Sequence, residues 1–225
     1  AKKIFVTSSE AASFFPEGKT EIYGNPVRAL PEASTLERPK EFPEGKKCVF
    51  ITGGSQGALG INRKIEESIK EIIADTSLSV VWQVGSKHVE SFQERLGNLP
   101  NVSIVGFVNN VYAYFQYADL IVSRAGASAL AEILAFGKPS VLLPFPHATA
   151  NHQEKNARVV EKAGAALVEL DDEPNQLWTK ISDLLNNDTK RGQMAEQAKN
   201  LGMPDAADRI AKAILKMEKY YAKNA

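Results

Sequence analysis

The sequence has 225 residues, 44% of them hydrophobic, which suits one large domain, or a domain with an appendage, around a full apolar core. Its 27 basic and 27 acidic residues cancel, so bulk charge gives no reason to expect a nucleic-acid partner. No apolar run approaches the roughly 20 residues of a membrane span, and the single cysteine, Cys48, excludes an internal disulfide and is expected to be a buried thiol.

The first 46 residues predict short strands joined by connecting segments. Strands are expected at 3–7 and 20–23. The segment 24–28 reads Gly-Asn-Pro-Val-Arg. Because the residue before a proline is held extended, this segment is expected to be a rigid connector. Polar residues and three prolines predict a surface loop over 31–46.

From residue 47 onward, apolar runs alternate with helical patterns. The predicted strands are 48–51, 78–84, 102–107, 120–122, 141–145 and 166–170. The predicted helices are 60–74, 87–96, 111–117, 128–136, 152–163, 175–185, 189–200 and 205–221. Strands that alternate with helices indicate parallel βαβ units, so the predicted fold class is α/β with a doubly wound parallel sheet. Such sheets bind ligands beyond the carboxyl ends of their strands.

The stretch from Ser123 to Glu132 is the most informative one. It predicts a buried strand, a sharp turn at Gly126 that brings the backbone close to a ligand, and a helix that opens directly afterwards. The free N–H groups and positive dipole at such a helix start suit an anion. Glu132, about one turn into the helix, suits a pair of ribose hydroxyls. The alternative is that Glu132 only complements the helix dipole.

Two further loops follow predicted strands. Gly53-Gly-Ser-Gln-Gly57 opens a helix and offers Ser55 to a phosphate, but it lacks the Gly-Lys-Ser/Thr ending of a P-loop. The alternative is a purely structural turn. The strand end at Phe107 and Val108 presents backbone that suits a flat base edge. Here the alternative is a plain strand terminus followed by a helix cap at residue 109 or 110.

The loop at 144–153 is rich in polar residues. Gln153 and Asn156 lie three residues apart and so share a helix face, where their amides suit sugar hydroxyls. Helix capping is the alternative. The three histidines and one cysteine show no metal-ligand spacing, and no nucleophile pattern accompanies His147 or His152. The acidic run at 171–173 is expected to form a turn that caps the next helix.

These loops all fall at the carboxyl ends of predicted strands, which favours one joint site for phosphate, base, ribose and sugar.

The sequence resembles the carboxyl-terminal half of a known family, the MurG family of bacterial peptidoglycan glycosyltransferases. The motifs that carry the resemblance are Gly24-Asn-Pro-Val-Arg28, Gly53-Gly-Ser-Gln-Gly-Ala58, Ser123-Arg-Ala-Gly-Ala127 with Glu132, and His152-Gln-x-x-Asn-Ala157.

The resemblance implies a GT-B enzyme, in which two Rossmann-like domains face each other and the carboxyl-terminal one holds the donor, UDP-GlcNAc. It implies Arg28 and Ser55 near the diphosphate, the backbone of Val108 at uracil, and Glu132 on the ribose hydroxyls. The residues that it implies around the diphosphate and GlcNAc are Ala127, Ser128, Ala129, Leu130, Ala131, Gln153 and Asn156. At Ala129 the sequence departs from the threonine usual in the family. The resemblance implies no metal and no cofactor.

The resemblance also implies a domain division. Residues 1–28 are expected to connect to an amino-terminal acceptor domain that this chain lacks, 29–205 to form the donor-binding domain, and 206–225 to form a helix that packs back toward the other domain. The acceptor implied is lipid-linked MurNAc-pentapeptide, bound at the inner face of the cytoplasmic membrane through the missing half, which also carries the general base.

Two alternatives to a transferase half remain open. One is a non-catalytic UDP-sugar-binding module that works with a separate partner chain. The other is an enzyme like UDP-GlcNAc 2-epimerase, which shares the GT-B architecture. The combination of the motif at 24–28 with the motif at 53–58 argues against the epimerase.

Overall fold

The computed structural model describes the backbone of residues 3–7 and 9–223, and the side chains of 3–7 and 11–217. The strands are β1 Ile4–Val6, β2 Thr20–Ile22, β3 Lys47–Thr52, β4 Leu78–Gln83, β5 Val102–Val105, β6 Leu120–Ser123, β7 Ser140–Leu142 and β8 Ala166–Val168. The helices are α1 Ser9–Ala12, α2 Leu59–Glu67, α3 Ile69–Ala74, α4 Val89–Leu96, α5 Val111–Tyr117, α6 Ala127–Ala135, α7 His152–Lys162, α8 Leu177–Leu185, α9 Asp188–Leu201 and α10 Ala206–Lys223.

The main sheet has six strands in the order β5-β4-β3-β6-β7-β8, and every neighbouring pair is parallel. This arrangement confirms the predicted doubly wound α/β sheet. The chain proceeds from β3 outward to β5 on one side, and from β6 outward to β8 on the other. The reversal between β3 and β6 leaves a crevice at their carboxyl ends, which is where sheets of this kind bind ligands.

Alternate residues of the central strands pack on opposite faces of the sheet. On β3, Val49 and Ile51 pack with helices α2, α3, α4 and α8, whereas Cys48 and Phe50 pack with α5. A third apolar cluster joins α6, α7 and α9 beside β7 and β8. Both faces are covered, so the central strands are buried and mostly apolar, as the sequence predicted for 120–122, with polar residues such as Thr52 and Gln83 at their carboxyl ends. Across the residues that the structure describes, no helix has both the length and the apolar character that a membrane crossing requires.

One local expectation was wrong, and two features were missed: the anchoring of a predicted loop and a short helix. The single helix predicted over 60–74 is two helices, α2 and α3, that meet at Ser68, whose φ and ψ of −100° and 11° are not helical. The predicted surface loop over 31–46 is tied into the core, because Phe42 is fully buried and Leu36 is 6% exposed. The ring of Phe42 packs edge-on against Tyr114 of α5, with centroids 5.6 Å apart. A four-residue helix, α1, was not predicted.

The first two strands form a separate sheet. β1 and β2 pair in parallel, with Ile4 opposite Thr20. Helix α10 returns to this unit, since the Arg209 guanidinium lies over the ring of Tyr23 at 4.9 Å and donates to the carbonyl oxygen of Ile22. The outermost parts of the two terminal segments predicted at 1–28 and 206–225, residues 1–2 and 224–225, lie outside the described residues, as does residue 8.

Candidate functional site

Two buried polar side chains fix the conformation of the glycine-rich loop after β3 through hydrogen bonds. Thr52 donates its hydroxyl to Gln83 Oε1 at 3.3 Å and accepts from the N–H of Gly54 at 3.0 Å. Gln83 Nε2 in turn donates to the carbonyl oxygen of Gly54 at 3.0 Å. Both side chains are nearly inaccessible, at 6% and 3% exposed. The loop conformation is therefore set by the core, and Ser55 is presented to solvent at its tip.

Gly57 is required at its position for two reasons. Its φ is +75°, and a Cβ added there would lie 2.0 Å from the carbonyl oxygen of Val84. The loop leads into α2, whose N-cap residue is Ala58, so no side chain caps the helix start. The free N–H groups of that first turn are consequently available to an anion at the carboxyl edge.

A second uncapped helix start, that of α6, follows strand β6. Its N-cap is Gly126, which also makes no side-chain cap hydrogen bond. The sharp turn predicted there does not depend on glycine, because its φ and ψ of −66° and 144° are open to any residue. A Cβ at Gly126 would meet only Gln153 Nε2, at 4.0 Å. Since β3 and β6 are adjacent, the starts of α2 and α6 flank the same crevice.

Glu132 lies within a compact cluster with Tyr112 and Arg28. The hydroxyl of Tyr112 donates to Glu132 Oε1 at 3.0 Å. The Arg28 guanidinium lies over the Tyr112 ring, 4.8 Å from its centroid, and its nearest nitrogen is 4.0 Å from the same Glu132 oxygen. Burial, together with the hydrogen bond to Glu132, raises the pKa of Tyr112. The structure thus brings Arg28 and Glu132 together, and it adds a tyrosine that the sequence analysis missed.

Val108 is 7% exposed and packs in the core against α5, whereas its neighbour Phe107 is 54% exposed. The segment therefore offers its backbone, and not the Val108 side chain, at the strand end. Asn110 takes the N-cap position of α5 without making the side-chain hydrogen bond that a cap implies. The capping alternative is accordingly not supported at this position.

The residues predicted at the start of α7 turn toward the β6 and β7 loops. Gln153 Oε1 accepts the N–H of Phe145 at 3.0 Å, and Asn156 Nδ2 donates to the carbonyl oxygen of Ala125 at 3.4 Å. The preceding turn contains two left-handed residues, Ala150 and Asn151, with φ of 52° and 54°. The loop is thereby held against the turn that precedes α6, and neither amide caps its own helix.

The first turns of α6 also border a cavity of about 470 Å³. Its wall includes four of the predicted site residues, namely Ala127, Leu130, Ala131 and Asn156. Leu130 is 6% exposed and belongs to the core cluster between α6 and α7. The hydroxyl of Ser128, in the same turn, accepts a hydrogen bond from Asn25 Nδ2 at 3.3 Å. Ala129 is partly exposed.

An ion pair that the sequence analysis missed braces this edge of the sheet. Arg124 forms a two-pronged contact with Asp171, at 2.9 and 2.8 Å, and also donates to the carbonyl oxygens of Leu143 and Pro144. The loops after β6, β7 and β8 are thus tied together. The expectation that Asp171 belongs to a helix cap was wrong, because α8 begins at Leu177 and its first N–H bonds Asn175 instead. Arg124 directly follows β6, and Asp171 directly follows the strand predicted over 166–170, which was the available signal.

Within the described part of the chain, no group of three or more His, Cys, Asp or Glu side chains is arranged to hold a metal ion. His147 is exposed, with its ring edge-on to Phe145 at 5.6 Å. His152 Nδ1 lies 2.8 Å from the carbonyl oxygen of Thr149. Cys48 is buried, and burial raises the pKa of its thiol to about 11.

Comparison with known proteins gives a family for this architecture. The family model described as the glycosyltransferase family 28 C-terminal domain matches residues 48–210. The chain belongs to this family. The family 28 match confirms the fold class and the resemblance that the motifs indicated, and it covers the strands and loops of the candidate site except the segment that carries Arg28.

Relatives of the family 28 domain carry one consistent name. A UDP-N-acetylglucosamine–N-acetylmuramyl-(pentapeptide) pyrophosphoryl-undecaprenol N-acetylglucosamine transferase of Salinibacter ruber is 35% identical over 228 residues, covering 100% of this chain and 62% of the relative. A protein of that name, numbered 1, from Bacillus cereus is 38% identical over 225 residues, covering 96% of this chain and 62% of the relative. The chain therefore spans about three fifths of the length of these relatives.

Solved structures agree on the fold of the family 28 domain. MurG of Acinetobacter baumannii superposes with a TM-score of 0.73 at 23% identity, covering 96% of this chain and 61% of that one. A UDP-N-acetylglucosamine 2-epimerase from Listeria monocytogenes, described as putative in its name, superposes with a TM-score of 0.65 at 17% identity, covering 93% and 56%. At these identities the superpositions establish the fold alone, and they do not separate a transferase from an epimerase.

Proposed function

We propose that this chain is the donor-binding half of an enzyme that transfers GlcNAc from UDP-GlcNAc to the C4 hydroxyl of undecaprenyl-pyrophosphoryl-MurNAc-pentapeptide. The observation that carries the proposal is the pair of uncapped helix starts at the β3–β6 crevice, with Arg28 and Glu132 alongside. Positive helix ends, a cation and a carboxylate match the diphosphate and the ribose of a nucleotide sugar. The names of the relatives supply the sugar and the acceptor.

The chain's contribution to the reaction is electrostatic. The acceptor hydroxyl attacks the anomeric carbon, the configuration inverts, and UDP departs with growing negative charge on its diphosphate. The N–H groups at the starts of α2 and α6 are fixed before the reaction, so they stabilise that charge without having to reorganise. Ser55, at the tip of the first loop, adds a hydroxyl. Arg28, whose side chain is 74% exposed, is free to make a charge-assisted contact to the same group.

The remaining assignments follow the order of the loops along the crevice. The carboxylate of Glu132 accepts from the ribose hydroxyls, and the backbone of Val108 pairs with the uracil edge. Gln153, Asn156 and the first turns of α6 border the diphosphate and the GlcNAc. The residues of those turns are Ala127, Ser128, Ala129, Leu130 and Ala131. Ala129 lacks the side chain with which a threonine would contact the donor, so only its backbone contributes there.

The proposal extends to the parts of the enzyme beyond this chain. Residues 1–28 connect to an amino-terminal acceptor domain, 29–205 form the donor domain, and 206–225 form a helix that packs toward the acceptor domain. The acceptor domain supplies the general base and binds the lipid-linked substrate at the cytoplasmic face of the membrane. The position of α10 against β2 supports this division, because it joins the two ends of the chain.

Calorimetric titration of the chain with UDP-GlcNAc, UDP-GalNAc and UDP tests the donor site. We expect saturable binding of UDP-GlcNAc, weakened by at least about 1 kcal/mol in Glu132→Gln, because a hydrogen bond to a charged group is lost. Glu41→Gln is the matched control. Its carboxylate also accepts from a tyrosine of α5, Tyr114, at 3.2 Å, but away from the crevice. An equal loss of affinity for UDP-GlcNAc in Glu132→Gln and Glu41→Gln, or no binding by the unmodified chain, would contradict the proposed site.

The reaction products distinguish the proposed transferase from the two alternatives, a non-catalytic binding module and an epimerase. We expect the chain alone to bind donor without transferring GlcNAc, and transfer to appear when an amino-terminal half from a relative is added. A module without catalytic purpose would bind donor but support no transfer with any such half. An epimerase would convert UDP-GlcNAc to the 2-epimer without acceptor, which chromatography of the sugar nucleotides detects directly.

A further inference from the structure

Tyr112 is the one described side chain that contacts both charged residues of the proposed donor site. Its hydroxyl bonds Glu132 and its ring carries the Arg28 guanidinium. The tyrosine itself is 6% exposed, whereas the Glu132 and Arg28 side chains are 22% and 74% exposed. A buried residue therefore lies beneath two more exposed ones.

The ring is fixed by its aromatic neighbours. It packs against Phe136 at 5.0 Å and against Phe115 at 6.4 Å between centroids. These rings belong to the core cluster on one face of the sheet. A tyrosine side chain has only two rotatable bonds, and the packing of the ring already fixes both. The hydroxyl of Tyr112 is therefore held at a defined position.

Tyr112 contacts Glu132 and Arg28 through different parts of its side chain. Both Tyr112 and Arg28 approach the same carboxylate oxygen, Oε1, but the tyrosine does so at 3.0 Å and the arginine at 4.0 Å. The guanidinium is held instead by the face of the Tyr112 ring, 4.8 Å from its centroid. The hydroxyl of Tyr112 therefore fixes the orientation of the carboxylate, which still has lone pairs on both oxygens to offer a ligand.

We propose that Tyr112 is a positioning residue for the nucleotide. Its hydroxyl orients the Glu132 carboxylate toward the ribose hydroxyls, and its ring carries Arg28 beside the diphosphate. This inference rests on the proposed donor site. The hydroxyl acts as a donor throughout the neutral pH range, in keeping with the raised pKa of Tyr112.

The test is Tyr112→Phe, which removes the hydroxyl and keeps the ring beneath Arg28. Affinities are measured by calorimetry for UDP and for 2′,3′-dideoxy-UDP, which lacks the hydroxyls that Glu132 would bind. We expect UDP to bind about five- to tenfold more weakly, the size of one hydrogen bond, and dideoxy-UDP to change by less than about twofold. In a Glu132→Ala background, which leaves the Tyr112 hydroxyl no side-chain acceptor at this position, Tyr112→Phe is expected to have no further effect on UDP.

Tyr114→Phe is the matched control. It lies on the same helix and loses an equivalent tyrosine–carboxylate bond, that to Glu41. We expect its affinity for UDP to equal that of the unmodified chain, and circular dichroism melts establish that each variant is folded. Equal weakening of UDP and dideoxy-UDP by Tyr112→Phe, or no weakening of UDP, would overturn the inference while leaving the donor site intact. Failure of the unmodified chain to bind UDP would overturn both.

Discussion

Substitution of Glu169 by glutamine tests the most deeply buried ion pair in the described chain. Glu169 and Lys64 are each 1% exposed and meet at 2.8 Å. The other Glu169 oxygen, Oε2, accepts from Lys180 at 2.6 Å, and the N–H of Gln176 donates to Oε1 at 3.1 Å. The carboxylate thus joins α2, which follows the glycine-rich loop, to β8 and α8.

The expected loss in free energy of unfolding is large, because the substitution leaves the charge of Lys64 without an oppositely charged partner. Removing one member of a buried pair costs about 3 to 5 kcal/mol, since the remaining ion is desolvated and uncompensated. Here Lys64 would keep the carbonyl oxygen of Glu173, at 2.9 Å, and a neutral amide oxygen, but no negative charge. With an m-value of about 2 to 3 kcal/mol per molar urea, the unfolding midpoint of Glu169→Gln is expected to fall by about 1 to 2.5 M.

Urea unfolding followed by circular dichroism measures the effect, with Glu66→Gln as the control. Glu66 pairs with Arg95, but the two side chains are 35% and 48% exposed, so its loss is expected to stay below about 1 kcal/mol. A loss of less than about 1 kcal/mol in Glu169→Gln would refute the reasoning. It would mean that the amide and its neighbours solvate Lys64 as well as the carboxylate does.

The effect of Glu169→Gln also has a definite pH dependence. Burial acts to raise the pKa of Glu169, but the hydrogen bonds from Lys180 and Lys64 outweigh it and hold the pKa below its ordinary value of 4.5. A carboxyl group with a lowered folded-state pKa stabilises the protein above the unfolded-state value and loses that contribution as the pH falls through the folded-state one. The difference in free energy of unfolding between Glu169→Gln and the unmodified chain is therefore at its maximum at pH 7 and becomes smaller below about pH 4.

Three further predictions concern the site and the core. Gly57→Ala is expected to lose about 2 kcal/mol or more in urea unfolding and to weaken UDP binding, because its Cβ would lie 2.0 Å from a backbone oxygen. Gly54→Ala, with a similar φ but open space around its Cβ, is the control and is expected to lose about 1 kcal/mol. Arg124→Lys is expected to lower the melting temperature by about 3 to 8 °C, since the two-pronged contact with Asp171 is lost; an unchanged melt would contradict this. Cys48, with its pKa raised to about 11, is expected to react with a thiol reagent at pH 7 only upon unfolding, and rapid labelling of the folded chain would show that it is accessible.

The sequence by itself determined the succession of elements and the fold class. Apolar runs and glycine or proline punctuation are local signals, so they located the six strands of the main sheet and the loops at their carboxyl ends. The motifs also identified the family. The assignments of individual residues to parts of the donor came from the resemblance and stay predictions.

Only the tertiary structure decided which distant residues meet. Asp171 finds Arg124, Glu169 finds Lys64, and Tyr112 reaches Glu132, across 47, 105 and 20 residues of sequence. Periodicity gives the face on which a side chain lies but not its partner, because the partner depends on strand order and helix packing. The anchoring of the 31–46 loop by Phe42 has the same cause. A proline-rich segment indicates a loop. Whether one of its side chains enters the core depends on the packing of the neighbouring strands and helices, here α5.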